Sequence, residues 1–255
     1  MRALILAAGQ GKRLGKASKN RPKCLVELFG KPIISKQLEI LKSNNIKDIN
    51  IVTGYKSNLL DNLNLNTYHN KDFEKTNMVF SMFQASDLFD SNETDLIVSY
   101  GDIIYEKGNL EKLMNSKSSV SIMVDLNWKK LWSKRFDNPL DDAETMKFDD
   151  DLNIFELGKK TNSYSDIQGQ YTGLIKFDKN YLKKIKDTYI GIQNSNSFDY
   201  KNIYMTDFIQ LLINKNFKVT ASLVEGGWLE IDTEKDIDCY QDLYQRGKLK
   251  EFYEN

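Results

Sequence analysis

An apolar run, Ala3-Leu4-Ile5-Leu6-Ala7, empties directly into Ala8-Gly9-Gln10-Gly11-Lys12-Arg13-Leu14-Gly15, with Arg21-Pro22-Lys23 close behind. This opening commits the chain to a buried strand that ends in a glycine-rich turn carrying cations. Glycine has no Cβ and tolerates unusual backbone angles, so such a turn lets backbone N–H groups come close to an oxyanion. Arg13 and Lys23 add full charges, and the combination describes a phosphate site. Two better-known glycine motifs do not fit it. The P-loop, G-x-x-x-x-G-K-[ST], fails because five residues separate Gly9 from Gly15 and Lys16 is followed by Ala17. The dinucleotide fingerprint G-x-G-x-x-G finds Leu14 where its third glycine belongs, and the second strand, Ile49 to Gly54, is followed by Tyr55-Lys56 rather than an acidic residue. The spacing therefore argues against NAD as the ligand.

A chain of 255 residues can bury a full core as one α/β unit, and residues 1–255 are expected to form a single catalytic domain. Lysine plus arginine and aspartate plus glutamate each number 36, so the formal net charge is zero. No global field recruits nucleic acid or an anionic membrane, and phosphate recognition must be local. The leading apolar run is too short for a signal segment, and no later run approaches the ~18 residues of a membrane span. A cytoplasmic protein is expected. Cys24, Cys239 and the lone His69 cannot build a zinc cluster or a Cys/His catalytic pair.

Apolar strands alternate with amphipathic helices through the first half: Ala3–Ala7, a helix near Ile33–Asn44, Ile49–Thr53, a helix near Asn77–Leu88, and Asp95–Tyr100. That alternation predicts a mostly parallel sheet with helices on both faces. Ser118–Leu126 reads as another strand. The aromatic stretch through Trp128, Trp132, Arg135 and Pro139 shows no clear period and reads as a small inserted active-site lobe around residues 126–170. Short strands follow at Ala143–Phe148, Asn153–Glu156 and Gln168–Phe177, and helices near Asp178–Asp187 and Tyr204–Lys215 flank a flexible loop, Gly191–Ser197. Lys218–Val224 and Trp228–Ile231 precede a final helix, opened by Thr233 with Glu234 and Asp236 in its first turn.

Asp102 directly follows the strand Leu96–Gly101, and Asp232 closes Trp228-Leu229-Glu230-Ile231. Carboxylates at the carboxyl ends of sheet strands face the ligand crevice. Magnesium commonly takes one or two carboxylates plus substrate phosphate oxygens, so this pair is the number it requires. The alternatives are a strand-end turn for Asp102 and a helix N-cap for Asp232.

The string Leu6-Ala7-Ala8-Gly9-Gln10-Gly11-Lys12-Arg13, with Pro22-Lys23 downstream, resembles the signature of the nucleotidyltransferases that make sugar nucleotides and CDP-alcohols. The resemblance implies a Rossmann-like three-layer αβα fold with a mixed, mostly parallel sheet. It implies a nucleotide held by Leu6, Ala8, Gly9, Gly11, Lys12, Arg13, Lys23, Asn77, Ser81 and Gly101, with Arg13 and Lys23 catalytic and Mg2+ on Asp102 and Asp232. Some relatives carry a hexapeptide acetyltransferase tail; its absence leads us to expect a minimal catalytic unit. The segments Thr76-Asn77 to Ser81, Gly169–Gly173, Tyr204–Asp207 and Gly227–Asp232 resemble the CTP-using branch that activates phosphocholine, aminoethylphosphonate or phosphoglutamine. Asn77 can equally be a plain helix cap.

The implied reaction is attack by an acceptor phosphate or phosphonate oxygen on the α-phosphorus of CTP, with pyrophosphate leaving, for decoration of surface polysaccharide. Asp125, Trp128, Glu144, Tyr171, Asp207 and Trp228 are the candidate acceptor residues. The aromatic ones could cage a quaternary ammonium or could simply be core. Lys129, Lys130, Lys134 and Arg135 would suit an acceptor carboxylate or form a solvated basic face. Three acceptors stay open, as do a monomer or a homodimer. A sugar-1-phosphate uridylyl- or thymidylyltransferase and a non-catalytic nucleotide-binding regulatory subunit are the rival readings.

Overall fold

The computed structural model describes residues 1–195 and 199–254. Its strands are β1 (Arg2–Ala7), β2 (Glu27–Leu28), β3 (Lys31–Pro32), β4 (Asp48–Thr53), β5 (Asn66–His69), β6 (Leu96–Tyr100), β7 (Ile103–Tyr105), β8 (Val120–Asp125), β9 (Glu144–Phe148), β10 (Ile154–Lys160), β11 (Gln170–Phe177), β12 (Val219–Val224) and β13 (Trp228–Glu230). Its helices are α1 (Gly15–Ser18), α2 (Ile33–Ser43), α3 (Met78–Met82), α4 (Lys107–Met114), α5 (Trp128–Arg135), α6 (Leu182–Asn194), α7 (Met205–Asn214) and α8 (Glu234–Gln245).

Successive side chains of a strand point to opposite faces of its sheet, and β1 shows what that does here. Ala3, Ile5 and Ala7 enter one apolar cluster while Leu4 enters another. Helices α2, α4, α5 and α8 complete the first cluster with Ile33, Leu110, Trp128 and Tyr240, and α3, α6 and α7 complete the second with Val79, Ile185 and Phe208. Between them runs a seven-stranded sheet in the order β12-β8-β11-β6-β1-β4-β5. Strand β11 is antiparallel to both neighbours and the other pairs are parallel. This is the expected Rossmann-like three-layer fold with a mixed, mostly parallel sheet.

Two registers position the site. Leu6 of β1 lies beside Tyr100 of β6, so Ala8-Gly9 and Gly101-Asp102 emerge together at the carboxyl edge. The antiparallel ribbon of β7 and β13 sets Glu230 opposite Ile103, and the Ile231 N–H donates to the Asp102 carbonyl at 2.9 Å. Asp102 precedes β7 and Asp232 follows β13, so the ribbon delivers both aspartates to one place.

Several elements differ from the sequence reading. The helix expected over Asn77–Leu88 is the short α3 followed by 3-10 turns over Phe83–Phe89, interrupted at Ala85 (φ −95°, ψ 39°). The helix expected at Asp178–Asp187 is α6, whose buried Leu182, Ile185, Tyr189 and Ile192 keep the helical spacing going through Gly191. Gly191–Asn194 are therefore helical rather than loop, and 196–197 lie outside the described residues. The aromatic stretch is the helix α5. Buried residues between β8 and β11 join the two central clusters: Trp128, Leu131 and Trp132 on one face, Met146, Ile154 and Leu157 on the other. Among the described residues no helix is long and apolar enough to cross a membrane.

Gly101 packs against β1 with no room for a side chain. A Cβ there would lie 2.6 Å from the Leu6 carbonyl oxygen and 3.1 Å from the Ala7 Cα, both backbone atoms. Gly101→Ala is expected to lower stability by about 1–3 kcal/mol through this overpacking, read as a lower urea midpoint; an unchanged midpoint contradicts the close approach.

Candidate active site

Lys23 opens a short 3-10 turn after Pro22, and its side chain runs beneath the glycine loop. Gly11 sits at φ +67°, and a Cβ there would lie 3.0 Å from both Cβ and Cγ of Lys23, so glycine satisfies the left-handed turn and clears the lysine's path at once. The Ser18 hydroxyl donates to the Gly11 carbonyl at 2.6 Å, and the Lys16 N–H donates to Glu234 Oε1 at 2.8 Å, tying the loop to the start of α8.

At the end of that path Lys23 Nζ lies 2.6 Å from Asp102 Oδ2 and 2.8 Å from Asp232 Oδ1. Arg13 Nη1 reaches the other oxygen of Asp232 at 2.7 Å, from a side chain that is 70% exposed. Burial alone would lower the Lys23 pKa, but the charges of Asp102, Asp232 and Glu230 outweigh it and lift the ammonium above the usual lysine range. Asp102 Oδ1 is buried and has no hydrogen-bond partner among the described residues. Two carboxylates turned toward one cation, one of them with an oxygen still to be satisfied, fit a hard divalent ion that completes its shell with water and phosphate oxygens. Among the described residues no group of three or more His, Cys, Asp or Glu side chains is placed to hold a metal alone.

A cleft of about 170 Å³ adjoins this cluster, lined by Leu6, Ala8, Gly9, Phe73, Thr76, Asn77, Met78, Ser81, Tyr100, Gly101 and Asp102. Six of the expected nucleotide residues thus share one wall. Asn77 is also the cap of α3, its side chain accepting from the Met78 N–H at 2.8 Å, so the two readings of that residue coexist. Ser81 is buried and accepts from Asn70 Nδ2 at 2.9 Å. Lys12 is exposed on the turn after Gly11.

The acceptor candidates divide. Glu144 and Tyr171 line a small hollow of about 40 Å³ with Thr206 and Gly158. Tyr171 meets Tyr100 of the main cleft edge-to-face at 5.8 Å. Burial raises the Glu144 carboxyl above its usual range, opposed by the Thr206 hydroxyl and Lys160, with Asp207 and Asp142 adding to the rise. Asp207 is exposed in the first turn of α7.

The other three candidates are buried and have partners within the chain. Trp228 is 2% exposed, stacks on Trp132 at 5.7 Å, and donates its indole N–H to the Thr172 carbonyl at 2.8 Å. Trp128 is buried edge-to-face against Trp132. Both are core residues of one apolar cluster, Trp128 from α5 itself and Trp228 from β13. Asp125 is 1% exposed, and its Oδ1 accepts the Asn127 and Gly226 N–H groups, both at 2.8 Å. It joins two loops.

Three of the four basic residues of α5 have partners within the chain. Lys129 covers the Tyr164 ring at 3.8 Å and Lys130 pairs with Glu251 at 3.2 Å. Arg135 is buried against Glu230 and Asp236. Arg135 differs from its sequence reading as an acceptor-binding or solvated cation: Trp128, Leu131, Trp132 and Arg135 recur at helical spacing and mark one buried face. Asp236 was read only as a first-turn acid; it completes a capping box with Thr233. Cys24, next to the catalytic candidate, is buried, and that burial pushes its thiol up to about 12, away from the thiolate form.

Residues 3–129 match the MobA-like NTP transferase domain. The chain is 43% identical over 250 residues to the CTP:phosphoglutamine cytidylyltransferase of Campylobacter jejuni, covering 93% of this chain and 98% of that one. Its fold superposes on the CTP:phosphocholine cytidylyltransferase of Streptococcus pneumoniae with a TM-score of 0.71 at 21% identity, covering 97% of this chain and 99% of the other. The inositol-1-phosphate CTP transferase of T. maritima gives a TM-score of 0.71 at 20% identity, covering 100% of this chain and 98% of the other. Strand, glycine loop, cation pair and carboxylate pair thus sit on a matching scaffold, and the chain belongs to the MobA-like NTP transferases, a family of nucleotidyltransferases.

Proposed function

We propose that this chain is a CTP-dependent cytidylyltransferase that moves CMP onto a small phosphorylated acceptor and releases pyrophosphate, with phosphoglutamine as the acceptor. The observation that carries the reading is the Lys23 ammonium set between Asp102 and Asp232 at the mouth of a cleft walled by the glycine loop. The 43% identity to a phosphoglutamine enzyme over nearly the whole of both chains supports the choice of nucleotide and acceptor. The setting is cytoplasmic supply of an activated group for surface polysaccharide.

In the forward step an oxygen of the acceptor's phosphoryl group attacks the α-phosphorus of CTP. The bond to the bridging oxygen breaks, and its electron pair leaves with pyrophosphate. A phosphate monoester has a second pKa of ~6 and is mostly dianionic at neutral pH, so no side chain need remove a proton. The work left to the protein is alignment and charge stabilisation. Lys23 bridges the α-phosphate and the acceptor anion, while Arg13, largely exposed, turns from Asp232 to the β- and γ-phosphates. Asp102 and Asp232 would hold Mg2+, which when bound would supply neutralising charge to the phosphate oxygens. Glu144 and Asp207, with Tyr171 alongside, receive the acceptor's ammonium group.

Pyrophosphate release with CTP, UTP and dTTP against phosphoglutamine, phosphocholine and aminoethylphosphonate tests the whole reading. Turnover is expected with CTP and phosphoglutamine; turnover with UTP or dTTP but not CTP overturns it, and nucleotide binding without turnover favours a regulatory subunit. Lys23→Ala is expected to lower kcat about 100- to 1,000-fold, and an unchanged kcat removes Lys23 from the chemistry. The pH profile follows from the same charges. The raised Lys23 pKa keeps its ammonium protonated at every pH below that value, so the rate should rise through about pH 6 with acceptor ionisation and then stay level. A falling limb near about pH 8 would place the lysine's titration below its ordinary range, contrary to its setting.

A further inference from the structure

The Arg135 side chain is 1% exposed and lies behind the carboxylate pair, where it meets two acidic partners. Its Nη2 lies 2.9 Å from Glu230 Oε2 and its Nε 2.9 Å from Asp236 Oδ1. Asp236 passes the contact on, because its Oδ2 accepts the Asp232 N–H at 2.9 Å and the Thr233 N–H at 2.8 Å. Arg135 therefore grips the Glu230-Ile231-Asp232 segment at both ends, directly at Glu230 and through Asp236 at the amide of Asp232. The rings of Trp132 and Phe136 stand 5.2 and 5.1 Å from the guanidinium carbon and fix its plane. A rigid guanidinium fork can address two carboxylates in set directions; a lysine ammonium is a point charge on a flexible stem and cannot.

We propose that Arg135 is a positioning residue for divalent-metal binding, acting through Asp236 and Glu230 to hold the Asp232 carboxylate where it faces Asp102. The inference rests on the reading of Asp102 and Asp232 as the metal ligands. Glu230 gives the grip a second purpose. It lies in the field of Asp102, Asp232 and Lys23, and a third carboxylate released from Arg135 would compete for the Lys23 ammonium and disturb the pair. Groups that orient metal ligands from behind typically change metal affinity or activity by about 10- to 100-fold when altered.

The test is Mn2+ binding to the whole chain, followed by water-proton relaxation with and without CTP, for the native protein and for Arg135→Lys, Asp236→Asn and Asp232→Asn. Arg135→Lys keeps the charge but loses the fork. It is expected to weaken Mn2+ binding about 10-fold or more and to lower kcat with little change in the KM for acceptor, and Asp236→Asn is expected to act in the same direction. A folded Arg135→Lys that binds Mn2+ within twofold of the native protein overturns the proposal. If that variant does not fold, Asp236→Asn decides by the same criterion. Asp232→Asn separates the two readings: undiminished Mn2+ binding there overturns the metal-ligand assignment and the proposal with it, whereas lost binding there beside native binding in Arg135→Lys overturns the proposal alone.

Discussion

Everything at the carboxyl edge of the sheet depends on one shared charge, the Lys23 ammonium between Asp102 and Asp232. Two carboxylates held this close repel each other in a partly buried setting, and removing one partner from a buried ionic group leaves an uncompensated charge that costs about 3–5 kcal/mol. The fold meets that cost with geometry fixed elsewhere. The β7–β13 ribbon sets the two aspartates side by side, Gly11 opens the lysine's route, and Arg13 takes the remaining oxygen of Asp232. Loss of the lysine itself would leave both carboxylates without the cation they share.

That arrangement also makes chemical sense of a site with no histidine. Triphosphate and acceptor both arrive as anions, and the cations already on the carboxylates are the ones they need. Arg13 is exposed and tethered at a single point, so it can exchange a carboxylate for a phosphate at small cost. Lys23 is more confined and suits the place where the two substrates meet. The cleft behind Asp102 is walled by backbone-exposing residues of β1 and β6 and by the cap of α3, which gives a nucleotide polar contacts without adding charge.

Much of this was legible in the sequence wherever the signal was local. The strand-to-loop opening, the alternation that builds the layered sheet and the capped final helix each arise within a few residues, and each appears where it was expected. The convergence of Lys23, Asp102 and Asp232 was legible in part: the strand-end positions of the two aspartates pointed to one crevice, but the ribbon that joins them uses β7, a three-residue strand too short to show a period. Aromatic residues misled for a general reason: a tryptophan suits a core and a ligand cage equally in composition, and only burial shows that Trp128 and Trp228 are core. Asp125 misled similarly, as a buried carboxylate that accepts one local N–H, from Asn127, and one from the distant Gly226. Arg135 was hidden among lysines, although its helical spacing with the tryptophans pointed inward.

The central claim is that Asp102 and Asp232 form one cation site that the Lys23 ammonium occupies. Its most direct measurement is Mn2+ binding to Lys23→Ala and to the native protein in the absence of nucleotide. Removing the ammonium leaves both carboxylates without their shared counterion, so Lys23→Ala should bind Mn2+ more tightly than the native protein does. Equal or weaker binding by Lys23→Ala would contradict the account.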